Sequence, residues 1–503
     1  MRRKLLGIFF ILNISVLASN GQGINHTWLL GYNFSLTSPK ARINFTSTSY
    51  TLQSEIRKMA FETTQGNISD INGNLLISSN GIWIANANND TMLNGTELNP
   101  NSFTASWASF GLPIPNGNVI LPWPNDSSKY ILFHQTANND ANLKSTELYY
   151  SVIDMNSDSG LGGVIQKNQI VFQDSLDWGI GVCKHANGRD WWIVALKDSS
   201  NTIYKVLLTP NGISSVTTQN LNVPFQFSSV SQPTFSPDGT KFVYSYGYGG
   251  SNPMHDVRLF HFDRCTGDFS DTTYIPIYDT STGFALAFSS DSKYLYTSSF
   301  STIYQINTDT SDIASSLQIV AVNDTFASPF PPFYTDFYLM YLAANGKIYL
   351  TSGNSVQSLH FINYPDSSGL ACDVHQHDIS LSCWHERAVP NHPNYYLGPV
   401  IGSICDSIPP IGIYEQNNHD FHFSVTPNPI TNGYIKVIYL LPQNKSGVLE
   451  VFDVNGRMVF KMPLPPWSTL QQITLPKLSE GIYNAVITSG VHRTSKKIAL
   501  FSE

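Results

Sequence analysis

The densest group of side chains that could do chemistry lies between residues 373 and 392. Its members are acids and histidines, namely Asp373, His375, His377, Asp378, His385, Glu386 and His392. His375 and His377 would lie on the same face of a strand, because side chains alternate between the two faces. With Asp373 they could bind zinc, but no further ligand stands at a diagnostic spacing. We therefore expect a solvated, histidine-rich connection and predict neither a metal nor another cofactor.

Paired carboxylates could hydrolyse glycosidic bonds, and their separation would set the mechanism. The candidates Glu62, Glu97, Asp174 and Asp177 are scattered along the sequence. The sequence has no Gly-x-Ser-x-Gly motif, and the glycines of Gly247–Gly250 are not followed by the Lys-Ser/Thr of a phosphate loop. A protein without enzymatic activity is therefore favoured. An extracellular enzyme acting on polysaccharide or peptide is the alternative.

Tryptophans are the best clue to binding. The candidates, which are spread through the main part of the chain, are Trp83, Trp107, Trp123, Trp178, Trp191, Trp192 and Trp384. Exposed aromatic rings could stack on sugars or anchor a protein partner, although most could equally fill space inside the fold. We expect a module that binds an extracellular protein or glycan, with a structural or adhesion role as a further alternative.

A recurring turn signature indicates which elements carry these side chains. In each copy an Asp or Asn starts a tight turn, usually with Gly or Ser, and an alternating strand follows. The six copies are anchored at Asn72, Asp126, Asn187, Asp238, Asp291 and Asn345. Each interval has room for about four short strands, and no convincing helix interrupts them. Repeats of four strands predict an all-β protein with a β-propeller, in which seven blades are favoured and six are possible.

The strands of the fourth repeat are predicted individually. They are Gln232–Phe235, Lys241–Tyr246, Asp256–Phe262 and Thr272–Ile277. The hairpin formed by Trp28–Asn33 and Arg42–Ser47 could complete a last blade with residues after about Cys372. Such a blade would close the ring and remove exposed strand edges.

Residues 1–20 are predicted to be a secretory signal peptide. Arg2, Arg3 and Lys4 give the positive start, and the apolar stretch Leu5–Ala18 follows. An uncleaved membrane anchor is the alternative, but the stretch is shorter than the ~20 residues of a span, and no later segment could cross a bilayer. The net charge of −8 argues against nucleic-acid binding.

Export permits disulfide bonds among the five cysteines. These are Cys183, Cys265, Cys372, Cys383 and Cys405. An odd number leaves at least one thiol outside any intrachain pair. The last three fall within 34 residues, so a bridge among them is plausible.

Several runs of the main part resemble secreted propeller proteins of Gram-negative bacteria that use the type IX secretion system. They include Ile68-Ser69-Asp70, Tyr150–Met155, Lys184–Trp192 and Pro393–Pro399. The resemblance covers residues 28 to 406, and it departs from the usual pattern at Ile77–Gly81, where a more aromatic run is usual. It implies a propeller but no reaction, since that family has no assigned activity.

The end of the chain differs in character from the repeats. A linker is expected at 407–420, between a propeller at 24–406 and a small immunoglobulin-like β-sandwich of seven strands at 421–503. The sandwich is similar to the type A sorting domain of type IX secretion. The matching residues are Pro427, Asn428, Pro429, Asp453, Gly456, Arg457, Gly481, Ile482, Tyr483, Lys496 and Lys497. The resemblance implies that the secretion machinery reads this domain, that a sortase-like peptidase removes it, and that the cargo is released or attached to lipopolysaccharide.

Overall fold

The chain divides into two compact units, Met1–Ile408 and Pro409–Glu503, and each is described by itself. The computed structural model describes residues 23–32, 37–138, 143–223, 232–247, 255–283, 285–328, 333–406, 422–431, 433–441, 445–454, 456–465, 470–490 and 492–501. The predicted signal peptide and linker lie outside the described residues. Within those residues, no helix has both the length and the apolar character needed to span a membrane.

The described part of the first unit forms seven antiparallel sheets in chain order. Sheet one contains β1 (Thr27–Leu30), β2 (Lys40–Phe45) and β3 (Tyr50–Glu55), and sheet two contains β4 (Gly66–Ser69), β5 (Leu75–Ser79) and β6 (Ile84–Ala85). Sheet three contains β7 (Asn118–Pro122), β8 (Lys129–His134), β9 (Ser145–Asp154) and β10 (Gly163–Leu176). One short helix, α1 (Ser102–Ser106), precedes sheet three.

The remaining four sheets have four strands each. Sheet four contains β11 (Gly181–Lys184), β12 (Trp191–Leu196), β13 (Thr202–Thr209) and β14 (Gly212–Asn220); sheet five contains β15 (Thr234–Phe235), β16 (Lys241–Gly247), β17 (His255–Phe262) and β18 (Phe269–Ile277). Sheet six contains β19 (Ala285–Phe288), β20 (Tyr294–Ser298), β21 (Thr302–Asn307) and β22 (Gln318–Val322); sheet seven contains β23 (Met340–Leu342), β24 (Ile348–Leu350), β25 (Val356–Ile362) and β26 (Val374–His385).

The sheets are arranged radially, as in a β-propeller. The first strands β1, β4 and β7 contact one another in turn, and so do β11, β15, β19 and β23. Apolar side chains fill the space between neighbouring sheets. Phe242 and Phe260 of sheet five, for example, pack against Trp192 of sheet four. Seven such sheets confirm the predicted all-β propeller with seven blades.

The turn signature forms as predicted. In the copy between β15 and β16, Asp238 Oδ1 accepts hydrogen bonds from the backbone N–H and the hydroxyl of Thr240, both at 2.9 Å. Gly239 has a φ of 73°, which glycine adopts without strain. The strands of this repeat lie within three residues of their predicted bounds. Asp238 therefore acts here as a turn former.

The ring closes differently from the prediction. Among the described residues, β1, β2 and β3 pair only with each other, and β26 is the outer strand of sheet seven, where it pairs with β25 from Val374 to His385. The two sheets meet through packing, which places Trp28 and Leu30 against Leu381. One backbone bond from Tyr32 N–H to the Trp384 carbonyl, at 3.2 Å, joins them. The strand edge after Cys372 is thus used inside sheet seven and does not extend sheet one.

The expected bridge among the last three cysteines is wrong. Cys405 is bonded to Cys265, in the turn between β17 and β18, with their Cα atoms 5.7 Å apart. Cys183, Cys372 and Cys383 are buried free thiols. Cys405 does not pair with its neighbours in the sequence, because the segment after β26 runs to sheet five before it reaches Cys405.

The second unit is a β-sandwich of two sheets. One is β27 (His422–Thr426), β28 (Tyr434–Leu440) and β31 (Leu470–Thr474); the other, in spatial order, is β30 (Met458–Leu464), β29 (Gly447–Phe452), β32 (Gly481–Ser489) and β33 (His492–Leu500). Alternate residues of both sheets share one core, which includes Ile435 and Val437 from the first sheet and Val451 and Ile487 from the second. The prediction of a small β-sandwich is therefore confirmed.

Candidate functional site

The first unit has two ends with different connections. In sheets two to seven, the connections between first and second strands lie at one end, together with those between third and fourth strands. We call this the turn end. The second strands end, and the first strands begin, at the other end, which we call the loop end. This separation follows from antiparallel pairing in chain order.

Residues 388–400, which we call the channel segment, run along the channel lined by the first strands. Asn391 Nδ2 donates to the carbonyls of Asn118 and Ile180, at 3.2 and 3.0 Å. His392 Nε2 bonds the Asn67 carbonyl at 2.8 Å, and the Tyr395 hydroxyl donates to Ile120 at 2.9 Å. These contacts satisfy inward-facing carbonyl groups of sheets two, three and four. Asn391, His392 and Tyr395 are all buried.

The channel segment ends at the turn end. Val400 N–H donates to the Ala186 carbonyl at 2.8 Å, and the Arg264 guanidinium donates to the Gly398 carbonyl at 2.6 Å. Cys405 then bonds to Cys265 in the same turn region. A cavity of about 210 Å³ remains between this segment and the first strands of sheets four to seven, lined by polar and apolar side chains that include Asn394, Phe235 and Phe288.

At the loop end, four charged side chains gather where the channel segment begins. Arg387 donates from Nη1 to Glu62 Oε1 at 2.8 Å and lies 3.4 Å from Glu386. Its guanidinium carbon is 5.5 Å from the centre of the Tyr338 ring. Asp336 accepts hydrogen bonds from Gly353 N–H and the Asn354 amide. We call Glu62, Asp336, Glu386, Arg387 and Tyr338 the arginine cluster.

Burial changes the protonation of two acids in this cluster. Loss of hydration raises the pKa of Glu62 to about 7, although the Thr63 hydroxyl and Arg387 oppose the shift. Burial raises the pKa of Asp336 to about 6, against the opposing effects of Gly353 N–H and Arg387. Near neutral pH, both carboxyl groups therefore exchange a proton readily. Groups with this property are suited to acid–base chemistry as well as to binding.

Aromatic pairs border the loop end. Phe300 stacks on Tyr338 with ring centres 5.7 Å apart, and Tyr32 stacks on Phe110 at 6.4 Å. The sequence prediction had pointed to tryptophans instead. Trp191 and Trp192 are buried between sheets, where they donate to the carbonyls of Pro122 and Arg264. Trp123 joins sheets three and four through Pro210.

The other four predicted tryptophans are partly buried. Trp107 and Trp178 pack on Phe103 of α1. Trp83 packs on a cluster that contains Phe61, and Trp384 lies at the end of β26. These rings support the fold around the loop end. The stacked pairs that border it come from Tyr and Phe, which sequence reasoning had not singled out.

Of the four predicted acids, only Glu62 belongs to the arginine cluster. Asp177 is also at the loop end, but it binds Lys144 at 2.7 Å and Tyr246 at 3.0 Å. Asp174 lies on β10 and pairs with Lys197 at 2.6 Å, and Glu97 is exposed. The structure therefore brings together a different set of acids from the predicted one.

Sequence reasoning missed Asp336 and Arg387. A signal was available: Glu62, Asp177 and Asp336 each stand four residues before the first strand of their sheet, which begins at residue 66, 181 or 340. This spacing of four residues places an acid at the loop end of sheets two, four and seven. The position of Arg387 has no such signal, because it depends on where the chain goes after β26.

The predicted histidine group is spread over several places. His375 bonds Asp373 and Asp378, both at 3.0 Å, and stacks on Phe361. His377 bonds Asp324 at 2.8 Å. His385 and His392 are buried elsewhere. The described residues contain no three His, Cys, Asp or Glu side chains placed to share a metal ion. Asp373, His375 and His377 were only weak candidates for a zinc site, and His375 and His377 bond different acids here.

Several predicted sorting residues have structural roles in the second unit. Asn428, between Pro427 and Pro429, accepts from Ala499 N–H at 2.9 Å and donates to the Lys497 carbonyl at 3.0 Å. It thereby holds the edge of β33. Asp453 accepts from Arg457 N–H at 2.9 Å.

Gly456, in the same turn, has a φ of 77°. Gly481 begins β32, and the Tyr483 hydroxyl donates to the Ser479 carbonyl at 2.8 Å. Ile482, Lys496 and Lys497 are exposed.

The second unit identifies the route of export. Residues 424–500 match the sequence profile of the family described as Secretion system C-terminal sorting domain. The protein is thus a β-propeller that is followed in the sequence by a type IX sorting domain. Such a domain directs export to the cell surface or the medium. The resemblance of the second unit to a type IX sorting domain is confirmed.

Comparisons of the whole chain add little beyond this. No curated protein has a matching sequence. Among solved structures, a protein from Lactobacillus plantarum is 14% identical, with 72% of this chain and 99% of that chain covered and a TM-score of 0.41.

Two further solved structures are named as lactonases. A periplasmic gluconolactonase from Pseudomonas aeruginosa and a putative 6-phosphogluconolactonase from Bacteroides uniformis are each 11% identical, with 90% of this chain and all of theirs covered, at TM-scores of 0.36 and 0.35. Similarities this weak do not transfer an activity.

Proposed function

We propose that the first unit is a binding module whose loop end recognises a neutral extracellular glycan. The arginine cluster carries this proposal, because its acids and its guanidinium lie beside the stacked rings of Phe300 and Tyr338. Charged groups can orient sugar hydroxyls, and aromatic rings pack on the apolar faces of sugars. Three acids around one arginine disfavour an anionic ligand.

The same proposal includes a role for each part of the chain. Residues 1–20 direct the chain into the periplasm, residues 24–406 form the binding module, and residues 421–503 form the sorting domain. The type IX machinery and its sortase-like peptidase are then the partners during export. The glycan is met only after export, when the loop end is outside the cell.

The test uses the full-length protein on an array of neutral and acidic glycans. We expect neutral glycans to bind, and Tyr338→Leu and Glu62→Gln each to weaken binding at least tenfold. Asp271→Asn is the matched control, because this acid is exposed on β18, far along the chain from the cluster. Binding that survives both cluster substitutions would refute the proposal, as would an array without any bound glycan.

A glycoside hydrolase is the second candidate. The observation that favours it is the pair Glu62 and Asp336, whose carboxyl groups titrate near neutral pH beside one arginine. Retaining and inverting glycosidases both need one carboxylic acid and one carboxylate. The bound glycans would be assayed for released reducing ends. Turnover that Glu62→Gln and Asp336→Asn abolish would replace the binding proposal by this one.

A further inference from the structure

The predicted sorting residues fall into two groups according to what their side chains do. Asn428, Asp453, Gly456 and Tyr483 are occupied in holding β33, shaping one turn and filling the core. Ile482 is 58% exposed although isoleucine is a core residue by chemistry. The first group explains the fold of the second unit. The second group consists of Ile482, Lys496 and Lys497, whose exposed side chains remain available to a partner.

The pairing of the strands places the available residues on one surface. On the outer side of the sheet β30-β29-β32-β33, Phe452 is opposite Asn484, and Asn484 is opposite Lys497. Ile482 lies two residues before Asn484 and therefore on the same side. Two steps further along, Val486 is opposite Ser495, and Arg493 is opposite Thr488. The alternate residues of β32, such as Ala485 and Ile487, face the core.

These residues line one groove. Phe452, Ile482, Asn484, Val486, Arg493 and Lys497 all border it, with Asp453 at its end. Phe452, Ile482 and Val486 supply apolar groups around Asn484, although Val486 is only 3% exposed, and Arg493 and Lys497 stand on β33. Asp453 is an acid at one end of the groove, where it also accepts a hydrogen bond from the Arg457 backbone N–H. The groove thus combines apolar groups with two basic side chains and one acidic side chain.

We propose that this groove is the docking surface for a component of the type IX machinery, which presents an extended segment with an apolar side chain and acidic neighbours. The apolar side chain would cover Ile482 and Phe452. The acids would pair with Arg493 and Lys497. The match of residues 424–500 to the sorting family supplies the kind of partner. Charge complementarity supplies the chemistry of its binding segment.

The proposal goes beyond glycan binding and does not depend on it. It also separates recognition from folding. Substitutions at Asn428 or Tyr483 would harm export by unfolding the domain. Substitutions at Ile482, Arg493 and Lys497 would harm export of a folded protein.

The test follows export of the full-length protein from a type IX-competent host. The variants are Ile482→Glu and the double variant Arg493→Glu/Lys497→Glu. Two matched controls stand outside the groove: Ile438→Glu, where isoleucine is 50% exposed on the other sheet, and Lys477→Glu, where lysine is exposed in a connection. Protease resistance and thermal unfolding of the retained protein report whether the fold is intact.

We expect both groove variants to reach the surface or medium at least tenfold less than the parent, while remaining folded. Both controls should be exported like the parent. If Ile482→Glu unfolds the domain, the double variant decides, because its side chains are exposed. Normal export of the double variant would overturn the proposal. Equal loss of export in the groove variants and the controls would also overturn it.

Discussion

Asn391 and Ile180 lie 211 residues apart in the sequence, yet the Asn391 side chain donates to the Ile180 carbonyl at 3.0 Å. The same amide nitrogen also donates to Asn118 at 3.2 Å. One carboxamide thereby joins the channel segment to sheets three and four. Buried carbonyl groups need such partners, because an unsatisfied polar group inside a protein is costly.

Replacing Asn391 by alanine should therefore destabilise the first unit. The loss of two buried hydrogen bonds should cost about 2–3 kcal/mol. Urea unfolding of the purified protein measures the change. Asn394→Ala is the control, because Asn394 is exposed and its two side-chain hydrogen bonds, to the Pro237 carbonyl and from Tyr396 N–H, are not buried. The role assigned to Asn391 would be contradicted if the two variants lost the same stability.

Removal of the disulfide should also lower stability. Cys265 and Cys405 are separated by 140 residues, so the bond restricts a long stretch of the unfolded chain. We expect Cys265→Ser to cost about 2–5 kcal/mol in urea unfolding. A reducing agent should bring the parent down to the level of the variant and leave the variant unchanged. A response of the variant to reductant would show that another thiol matters.

Acid should weaken the protein through its buried histidines. Burial lowers the pKa of His392 to about 4, and it has the same effect on His360 and His385. A group with a depressed folded pKa stabilises the fold above its unfolded pKa of 6.5, and this contribution is lost as the pH falls toward 4. Each histidine can account for about 3 kcal/mol over that range.

His392→Gln tests this prediction, because its amide can still donate to Asn67. Urea unfolding at pH 7, 6 and 5 should show a shallower loss of stability in this variant than in the parent. His261→Gln, at an exposed position on β17, should follow the parent. Parallel curves for all three proteins would refute the assignment to His392.

The contribution of Glu62 to stability should change with pH in the opposite direction to that of the buried histidines. Its folded pKa of about 7 lies above the ordinary value of 4.5, so its contribution to stability is full below pH 4.5 and lost as the pH rises through 7. The stability of the parent relative to Glu62→Gln should therefore fall by about 3 kcal/mol between pH 4.5 and 8. The two unfolding curves would keep a constant separation if Arg387 held Glu62 ionised throughout.

Local patterns account for what could be predicted from the sequence. Strands such as Lys241–Gly247 alternate and end at strong turn signals, so their type and bounds follow from a few neighbouring residues. Asp238 was expected to form a turn for the same reason, and it does.

The candidate site could not be predicted in the same way. Arg387 meets Glu62 only because the chain enters the channel after β26, and residues 388–400 have no strand or helix period that would reveal this. The pairing of Cys265 with Cys405 depends on the same path. Contacts between parts of the chain that are hundreds of residues apart are set by the closed ring, and a local pattern holds no information about them.

The path of residues 388–400 also has a consequence for the order in which the protein is made. A ribosome produces the chain from its N-terminus, so the residues of all seven sheets are made before the segment that lies at their centre. A nascent chain that stops at residue 386 would contain the strands of all seven sheets but lack the channel segment. The carbonyls of Asn67, Asn118 and Ile120 would still lack the partners that they have in the complete unit. A premature stop in the last twentieth of this unit should therefore be as damaging as one near its beginning.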